Sequence, residues 1–181
     1  EEEHKKQSRA GAEQKFKGGL ADQSKETTKL HTAHHLLLRA LQEVVSEDIH
    51  QKGSNITGER LRIDYNPDSK LTPEQVEAVE NLVNEKIEEG LSVRRIEMPK
   101  EKAEELGAEM EFGQDYPHTV SVYFVTEDEE NDVPKEWFSA EFCGGPHVEN
   151  TSELGEDDRK FKIYKQESVG AGIKRIKARL E

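Results

Sequence analysis

Cysteine and long apolar runs are the features that this sequence has least of. A single cysteine, Cys143, occurs among 181 residues, which excludes an intrachain disulfide and suits a reducing compartment. No apolar stretch approaches the roughly 20 residues of a membrane-spanning helix, and no secretory signal opens the chain. We therefore expect a soluble, cytoplasmic protein with no membrane partner, and the lone thiol needs an explanation in packing or in chemistry.

The formal net charge of −13 conceals an uneven distribution. Residues 36–158 carry 11 basic and 31 acidic side chains, whereas residues 159–181 carry eight and two. A local basic surface can bind phosphates even on an acidic protein, because phosphate binding depends on the electrostatic field at the contact surface and not on the net charge of the whole protein. The segment "KRIKARL" is therefore either such a surface or the solvated face of a strand.

Apolar periodicity predicts three helices. Residues 29–46 repeat apolar side chains at three- and four-residue steps. A second helix is predicted after Thr72, which forms a capping box with Gln75, and it ends at Gly90. Residues 100–106 suggest a short third helix.

Strands are predicted where β-branched and aromatic residues alternate with polar ones. Because helices and strands do not follow a strict βαβ order, we expect an α+β fold with a mostly antiparallel or mixed sheet and flanking helices. Residues 1–27 read as a charged tail or weak helix, or as a linker from a longer chain, and residues 28–181 as one domain. The strand candidates are residues 60–65, 92–98, 119–125, 137–142, 160–167 and 173–180.

Two histidine-containing motifs suggest a metal site between a helix and a strand-turn. In "HTAHH", His31 and His35 stand four residues apart, so that both imidazoles point to one side of the helix. This spacing also occurs in ordinary surface and packing histidines. Far downstream, "CGGPH" supplies Cys143 and His147. A thiolate with three imidazoles favours Zn²⁺.

The role of this metal stays open at the level of sequence. Peptidase zinc helices have Glu directly after the first histidine, where this chain has Thr32, so a metallopeptidase is excluded. Four protein ligands would close a tetrahedral shell and make the ion structural, whereas three would leave a position for water or substrate. Gly144 and Gly145 would let the backbone bend between Cys143 and His147.

The ordered segments "HTAHHLL", "HQKGSNI", "ERLRIDY", "EFCGGPHVENTSELG" and "AGIKRIKA" resemble the editing domain of alanyl-tRNA synthetase and its free-standing relatives. The resemblance covers about residues 28–180. The related threonyl-tRNA synthetase domain shares the histidine and cysteine motifs and usually has Pro at the position of Pro146, whereas the alanyl group more often has Thr. The alanyl group also usually has Thr where His34 stands; this change either alters the pocket or is neutral.

This resemblance implies zinc-dependent hydrolysis of mischarged Ser-tRNA(Ala), and of Gly-tRNA(Ala). The partners would be the acceptor end of tRNA(Ala) and the remainder of an ATP-binding alanyl-tRNA synthetase. A second site is useful because a pocket for alanine cannot strongly reject the smaller glycine or the hydroxyl-bearing serine. The alternatives are a threonyl-type deacylase of Ser-tRNA(Thr) and a non-catalytic, zinc-stabilised RNA-binding module.

Several residues are candidates for the substrate site. Thr32 could bind the seryl hydroxyl, or else an intrahelical carbonyl. Gln51 could orient water or the ribose, with Lys52 and Ser54 near phosphates, although a solvated turn explains the same residues. Asp64 could hold an imidazole or pair with Arg62. The remaining candidates are Gly144 and Gly145 in the turn, and Lys174, Arg175 and Lys177 as phosphate contacts.

Overall fold

The computed structural model describes residues 20–67, 69–111 and 114–181. Most of the predicted N-terminal tail, residues 1–19, lies outside this part of the chain. Leu20 is buried and forms an isolated bridge with Ile56.

The described residues form an α+β fold, as the sequence predicted. Two antiparallel sheets are present, one of four strands in the order β1-β2-β7-β6 and one of three in the order β3-β4-β5. The elements in chain order are α1 (Lys25–Val44), β1 (Gln51–Ile56), β2 (Leu61–Tyr65), α2 (Pro73–Glu89), β3 (Ser92–Pro99), α3 (Lys100–Glu105), β4 (Thr119–Thr126), β5 (Ser139–Phe142), a 3₁₀ segment (Thr151–Asp158), β6 (Phe161–Ser168) and β7 (Lys174–Leu180).

Helix α1 is buried on nearly every side, in contrast to the amphipathic surface helix that its periodicity suggests. It begins at Lys25 after the N-cap Ser24, four residues earlier than predicted. Every residue from Lys29 to Leu38 is buried, including all three histidines of "HTAHH". Each fully buried leucine here stabilises the fold by about 1.5–3 kcal/mol. The helix contacts both sheets and α2, which makes it the central element.

A buried lysine fixes the N-terminal turn of α1. Lys29 is 2% exposed, and its Nζ donates to Glu156 Oε2 at 3.0 Å and lies 3.6 Å from Glu26 Oε1. Arg159 donates to the same Glu26 carboxylate at 2.8 Å. A buried ammonium is tolerated only when paired, so these contacts tie α1 to the 3₁₀ segment.

Helix α2 has the ends that the sequence predicted. Thr72 and Gln75 form both hydrogen bonds of the capping box, and Gly90 ends the helix in the left-handed conformation with φ 66°. Val79, Val83 and Ile87 are buried against the core that α1 shares with the four-stranded sheet.

Two elements were missed from the sequence. Strand β1 occupies residues treated as a possible solvated turn, and it pairs with β2 across an irregularity between Gln51 and Gly53. The 3₁₀ segment packs Thr151 and Leu154 into the core. Strand β5 begins at Ser139, two residues later than predicted.

None of the helices in the described residues has the length and apolar character needed to cross a membrane.

Candidate metal centre

The four predicted ligand residues come together where α1 faces the turn after β5. His31 and His35 lie on successive turns of α1, and Cys143 and His147 flank the turn. Their potential ligand atoms all lie within 4.8 Å of one another. Cys143 Sγ is 3.4 Å from His31 Nε2 and 3.3 Å from His147 Nε2. A tetrahedral zinc site places S and N ligand atoms about 3.6 Å apart, so this group has the dimensions to hold a metal ion.

Backbone and hydroxyl groups orient two of the imidazoles. The Nδ1 of His31 lies 2.9 Å from the carbonyl oxygen of Pro146, and the Nδ1 of His147 lies 2.9 Å from Thr32 Oγ1. Both contacts suit an Nδ1–H donor, which leaves the Nε2 lone pair directed toward Cys143. Such contacts fix the tautomer of metal-binding histidines.

The Thr32 hydroxyl is fully used inside the protein. It donates to the Thr28 carbonyl at 3.3 Å and accepts from Val148 N–H at 3.2 Å, in addition to its contact with His147. A hydroxyl group can donate one hydrogen bond and accept two, so these three contacts use its full hydrogen-bonding capacity. Thr32 therefore makes the intrahelical hydrogen bond to Thr28 and also supports the predicted ligand His147. Recognition of the seryl hydroxyl by Thr32 stays a prediction.

Glu141 is a site residue that sequence reasoning missed. Its Oε2 lies 3.1 Å from His35 Nε2, and the side chain is buried. Residues two apart on a strand share a face, so its position two residues before Cys143 was a usable signal. Burial, reinforced by Glu109 and Glu111, raises the pKa of Glu141 to about 8.

Burial sets the protonation of the ligand group. It lowers the pKa of His31 to about 4, and together with neighbouring imidazoles it lowers the pKa of His35 and His147 well below the usual value. The imidazoles are therefore neutral at pH 7, the form that binds metals. Burial raises the pKa of the Cys143 thiol to about 12; a cation beside the thiol reverses this preference, so metal binding releases a proton.

Two cavities adjoin the ligand group, and Glu111, Phe142 and Cys143 line both. The large cavity has a volume of about 620 Å³ and the small cavity about 30 Å³. The large cavity is lined by Gln23, Glu111, Gln114, Tyr116, Pro117, Thr119, Val120, Ser121, Tyr123, Phe142, Cys143, Gly144, Gly145 and Pro146. The small cavity is lined by His31, His34, His35, Leu38, Gln51, Ser54, Glu109, Met110, Glu111, Glu141, Phe142 and Cys143.

The predicted substrate residues of β1 lie at different places. Gln51 and Ser54 line the small cavity, where Gln51 Nε2 donates to Ser54 Oγ at 3.2 Å. Lys52 is exposed. Gly144 and Gly145 line the large cavity beside Cys143.

Asp64, a predicted substrate-site residue, pairs with arginine side chains. Asp64 accepts two hydrogen bonds from Arg175, at 2.8 and 3.1 Å, and lies 3.9 Å from Arg62 Nε. The hydrogen-bonding partner of Asp64 is therefore Arg175, which the sequence did not suggest, and the predicted partner Arg62 is the more distant of the two arginines.

The other two basic candidates in strand β7, Lys174 and Lys177, lie on opposite faces of the strand. Lys177 lies 3.6 Å from Glu167, and Lys174 donates to Ser168 Oγ at 2.8 Å. Side chains alternate along a strand, so Lys177 shares a face with Arg175, and Lys174 belongs to the opposite face.

Gly145 provides a test of the turn that carries the downstream ligands. Its φ is 74°, and an added Cβ would collide with Tyr123 Oη, whose ring packs on His147. We expect Gly145→Ala to weaken metal binding at least about tenfold and to lower the free energy of unfolding by about 1–3 kcal/mol. Metal titration against a competing chelator and urea denaturation measure the two effects.

Gly144 supplies the matched control, because a Cβ added there meets no described atom within 4 Å. Gly144→Ala should change the free energy of unfolding by less than about 0.5 kcal/mol. Equal behaviour of the two variants would show that the turn geometry does not depend on Gly145.

Thr32 provides a test of imidazole orientation. Thr32→Val keeps the side-chain shape but removes the partner of His147 Nδ1 and of Val148 N–H. We expect metal affinity to fall about 10–100-fold, whereas Thr32→Ser retains it. Isothermal titration with zinc measures this, and unchanged affinity in the valine variant would refute the orienting role.

Comparison with known proteins finds that the chain is similar to part of several alanine–tRNA ligases. Residues 120–177 match the family described as threonyl and alanyl tRNA synthetase second additional domain. The chain is 50% identical over 175 residues to an alanine–tRNA ligase of Borreliella burgdorferi and 47% identical over 178 residues to one of Treponema denticola. The similarity covers 97% and 98% of this chain, respectively, and 27% of each ligase.

A ligase of the same name from Listeria innocua is 41% identical over 154 residues, which are 85% of this chain and 16% of the ligase. The chain thus spans about a quarter or less of the length of these relatives. They carry the alanyl name, in agreement with the resemblance to the alanyl group. Residues 120–177 match the threonyl and alanyl tRNA synthetase second additional domain family, and the chain corresponds to the editing-domain region of alanyl-tRNA synthetases.

Proposed function

We propose that the chain hydrolyses the ester bond of mischarged Ser-tRNA(Ala) and Gly-tRNA(Ala). The observation that carries this proposal is the position of the ligand group, which borders both a large open cavity and a small polar one. A buried metal used only for stability needs no such access. The reaction adds water to the aminoacyl carbonyl carbon and breaks its bond to the ribose oxygen, which takes a proton. Free amino acid and uncharged tRNA leave.

The metal is proposed to be Zn²⁺. One thiolate and three imidazoles form a borderline-soft set that matches zinc in number and in donor type, and the distances between Cys143 Sγ and two ring nitrogens suit its tetrahedral radius. When bound, zinc would supply Lewis acidity toward the ester carbonyl or toward water, which requires that one protein ligand leaves or that a fifth ligand is added. His31, His35, Cys143 and His147 would hold it, while Thr32, Glu141 and the Pro146 carbonyl orient the rings.

The large cavity is the proposed site for the terminal adenosine. Its volume lies in the range of small-molecule pockets, and its wall includes Tyr116 and Tyr123 beside backbone groups of the turn at Gly144 and Gly145. Aromatic side chains offer stacking surfaces for bases. Lys52, Lys174, Arg175 and Lys177 remain proposed contacts for the phosphates, and Gln51 a proposed group for orienting water or the ribose.

A second candidate function has one observation in its favour. The four ligands would fill a tetrahedral shell, which is typical of structural zinc. The domain would then be a zinc-stabilised RNA-binding module without hydrolysis. A threonyl-type deacylase has less support, because the relatives described above carry the alanyl name.

A deacylation assay with measured zinc content separates these functions. We expect Ser-tRNA(Ala) and Gly-tRNA(Ala) to be hydrolysed faster than Ala-tRNA(Ala), with activity lost on chelation and restored by zinc. Ser-tRNA(Thr) should be a poorer substrate than Ser-tRNA(Ala). Equal rates for the correct and incorrect esters would exclude editing. A folded, zinc-loaded protein that hydrolyses none of the esters would favour the RNA-binding module.

A further inference from the structure

His34 is a buried side chain whose hydrogen bonding is incomplete. It is 3% exposed, and its Nε2 atom finds no hydrogen-bond partner among the described residues. Buried polar atoms in folded proteins nearly always have a partner. Neither zinc binding nor packing explains this atom, since the ligand group consists of other residues. This nitrogen therefore keeps one unused hydrogen-bonding position in the interior.

The small cavity is the place where such a partner would lie. His34 lines it together with Gln51, Ser54 and Glu141, so its wall is polar on several sides. Its volume of about 30 Å³ admits one water molecule or one hydroxyl group. Cys143 and Phe142 also line the large cavity, so the two cavities lie side by side at these residues. A group bound in the large cavity would thus have the small cavity next to it.

We propose that His34 Nε2 hydrogen-bonds the side-chain hydroxyl of the seryl group and thereby determines which amino acid is removed. This inference rests on the proposed deacylase function. A hydroxyl both donates and accepts, so it pairs with this nitrogen in either tautomer. Thr32, the earlier candidate for this contact, has its hydroxyl occupied by His147, Val148 and Thr28.

The same contact explains discrimination among three small amino acids. A seryl hydroxyl replaces the water that fits the small cavity, and a glycyl group leaves room for that water, so His34 is satisfied in both cases. The methyl group of alanine displaces the water without replacing its hydrogen bond. A site that loses a buried hydrogen bond in this way rejects the apolar analogue. Serine and glycine are therefore accepted, and alanine is disfavoured.

Substitution of His34 tests the proposal through a ratio of rates. We measure kcat/KM for Ser-tRNA(Ala), Gly-tRNA(Ala) and Ala-tRNA(Ala), with zinc content and circular dichroism recorded for each protein. His34→Leu should lower the serine-to-alanine ratio by about tenfold or more, with zinc content unchanged. His34→Gln, which keeps a hydrogen-bonding group near the position of Nε2, should preserve most of the preference. His118→Leu, at an exposed histidine that lines neither cavity, is the matched control and should leave the ratio unchanged.

Binding of non-hydrolysable adenosine analogues gives a readout that is independent of catalysis. The probes carry a seryl or an alanyl group in amide linkage to the 3′ position of adenosine. The unsubstituted protein should bind the seryl probe about tenfold more tightly, and His34→Leu should bind both equally. If His34→Leu does not fold, His34→Phe, which also removes the Nε2 atom, takes its place and should bind both probes equally. Tighter binding of the seryl probe by that variant would overturn the role of His34.

The outcomes separate this proposal from the function on which it rests. An unsubstituted protein that hydrolyses none of the esters overturns the deacylase function and this assignment with it. Normal selective hydrolysis, with a serine-to-alanine ratio in His34→Leu within about twofold of the original, overturns the role of His34 alone. Loss of zinc and of all hydrolysis in His34→Leu but not in His34→Gln, with the serine-to-alanine ratio restored to the original value by added zinc, would overturn the proposal and assign His34 to support of the metal ligands.

Discussion

The contact between α1 and the turn after β5 is the constraint on which the rest of the structure depends. Four groups that bind metals are placed in an interior where each is costly unless it is paired. Their rings pack closely, with the His31 and His147 centroids 4.0 Å apart. Hydrogen bonds to the Pro146 carbonyl and to the Thr32 hydroxyl satisfy the Nδ1 atoms of His31 and His147. The Nε2 atoms of both rings are then free to bind a shared cation.

The surrounding fold stabilises the contact between α1 and the turn after β5. Helix α1 is buried almost all round because both sheets and α2 contact it, and the buried Lys29 ties its first turns to the 3₁₀ segment. Gly145 allows the turn to approach Tyr123, which in turn packs on His147. The two cavities then meet at Cys143. The metal centre is thus buried on the side of the α1 histidines and half-buried at Cys143 and His147, where it borders the space that a substrate needs.

Sequence patterns predicted those features that depend on spacing within one element. The α2 capping box, the stop at Gly90 and most strands follow from local residue order. The metal ligands could be proposed because one pair has helical spacing and the other closes a turn. Strand β1 was missed because "QKGSNI" has little β-branched character.

Features that depend on tertiary packing could not be predicted. The burial of all of "HTAHH" results from the two sheets that cover α1, which no periodicity reveals. Thr32 contacts His147 across 115 positions of sequence. The basic residues of β7 looked available for phosphates, yet Arg175 and Lys177 lie beside Asp64 and Glu167. Pairing across strands, not the charge count of a segment, decides how much of that charge remains for a ligand.

X-ray absorption at the zinc edge, on protein purified without added metal and then loaded with one equivalent of zinc, tests the central claim most directly. The account predicts a first shell of one sulfur at about 2.3 Å and three nitrogens at about 2.0–2.1 Å, with the sulfur contribution lost in Cys143→Ala. A shell of light atoms only, unchanged by that substitution, would contradict it, because the thiol and the three imidazoles would then not share one ion.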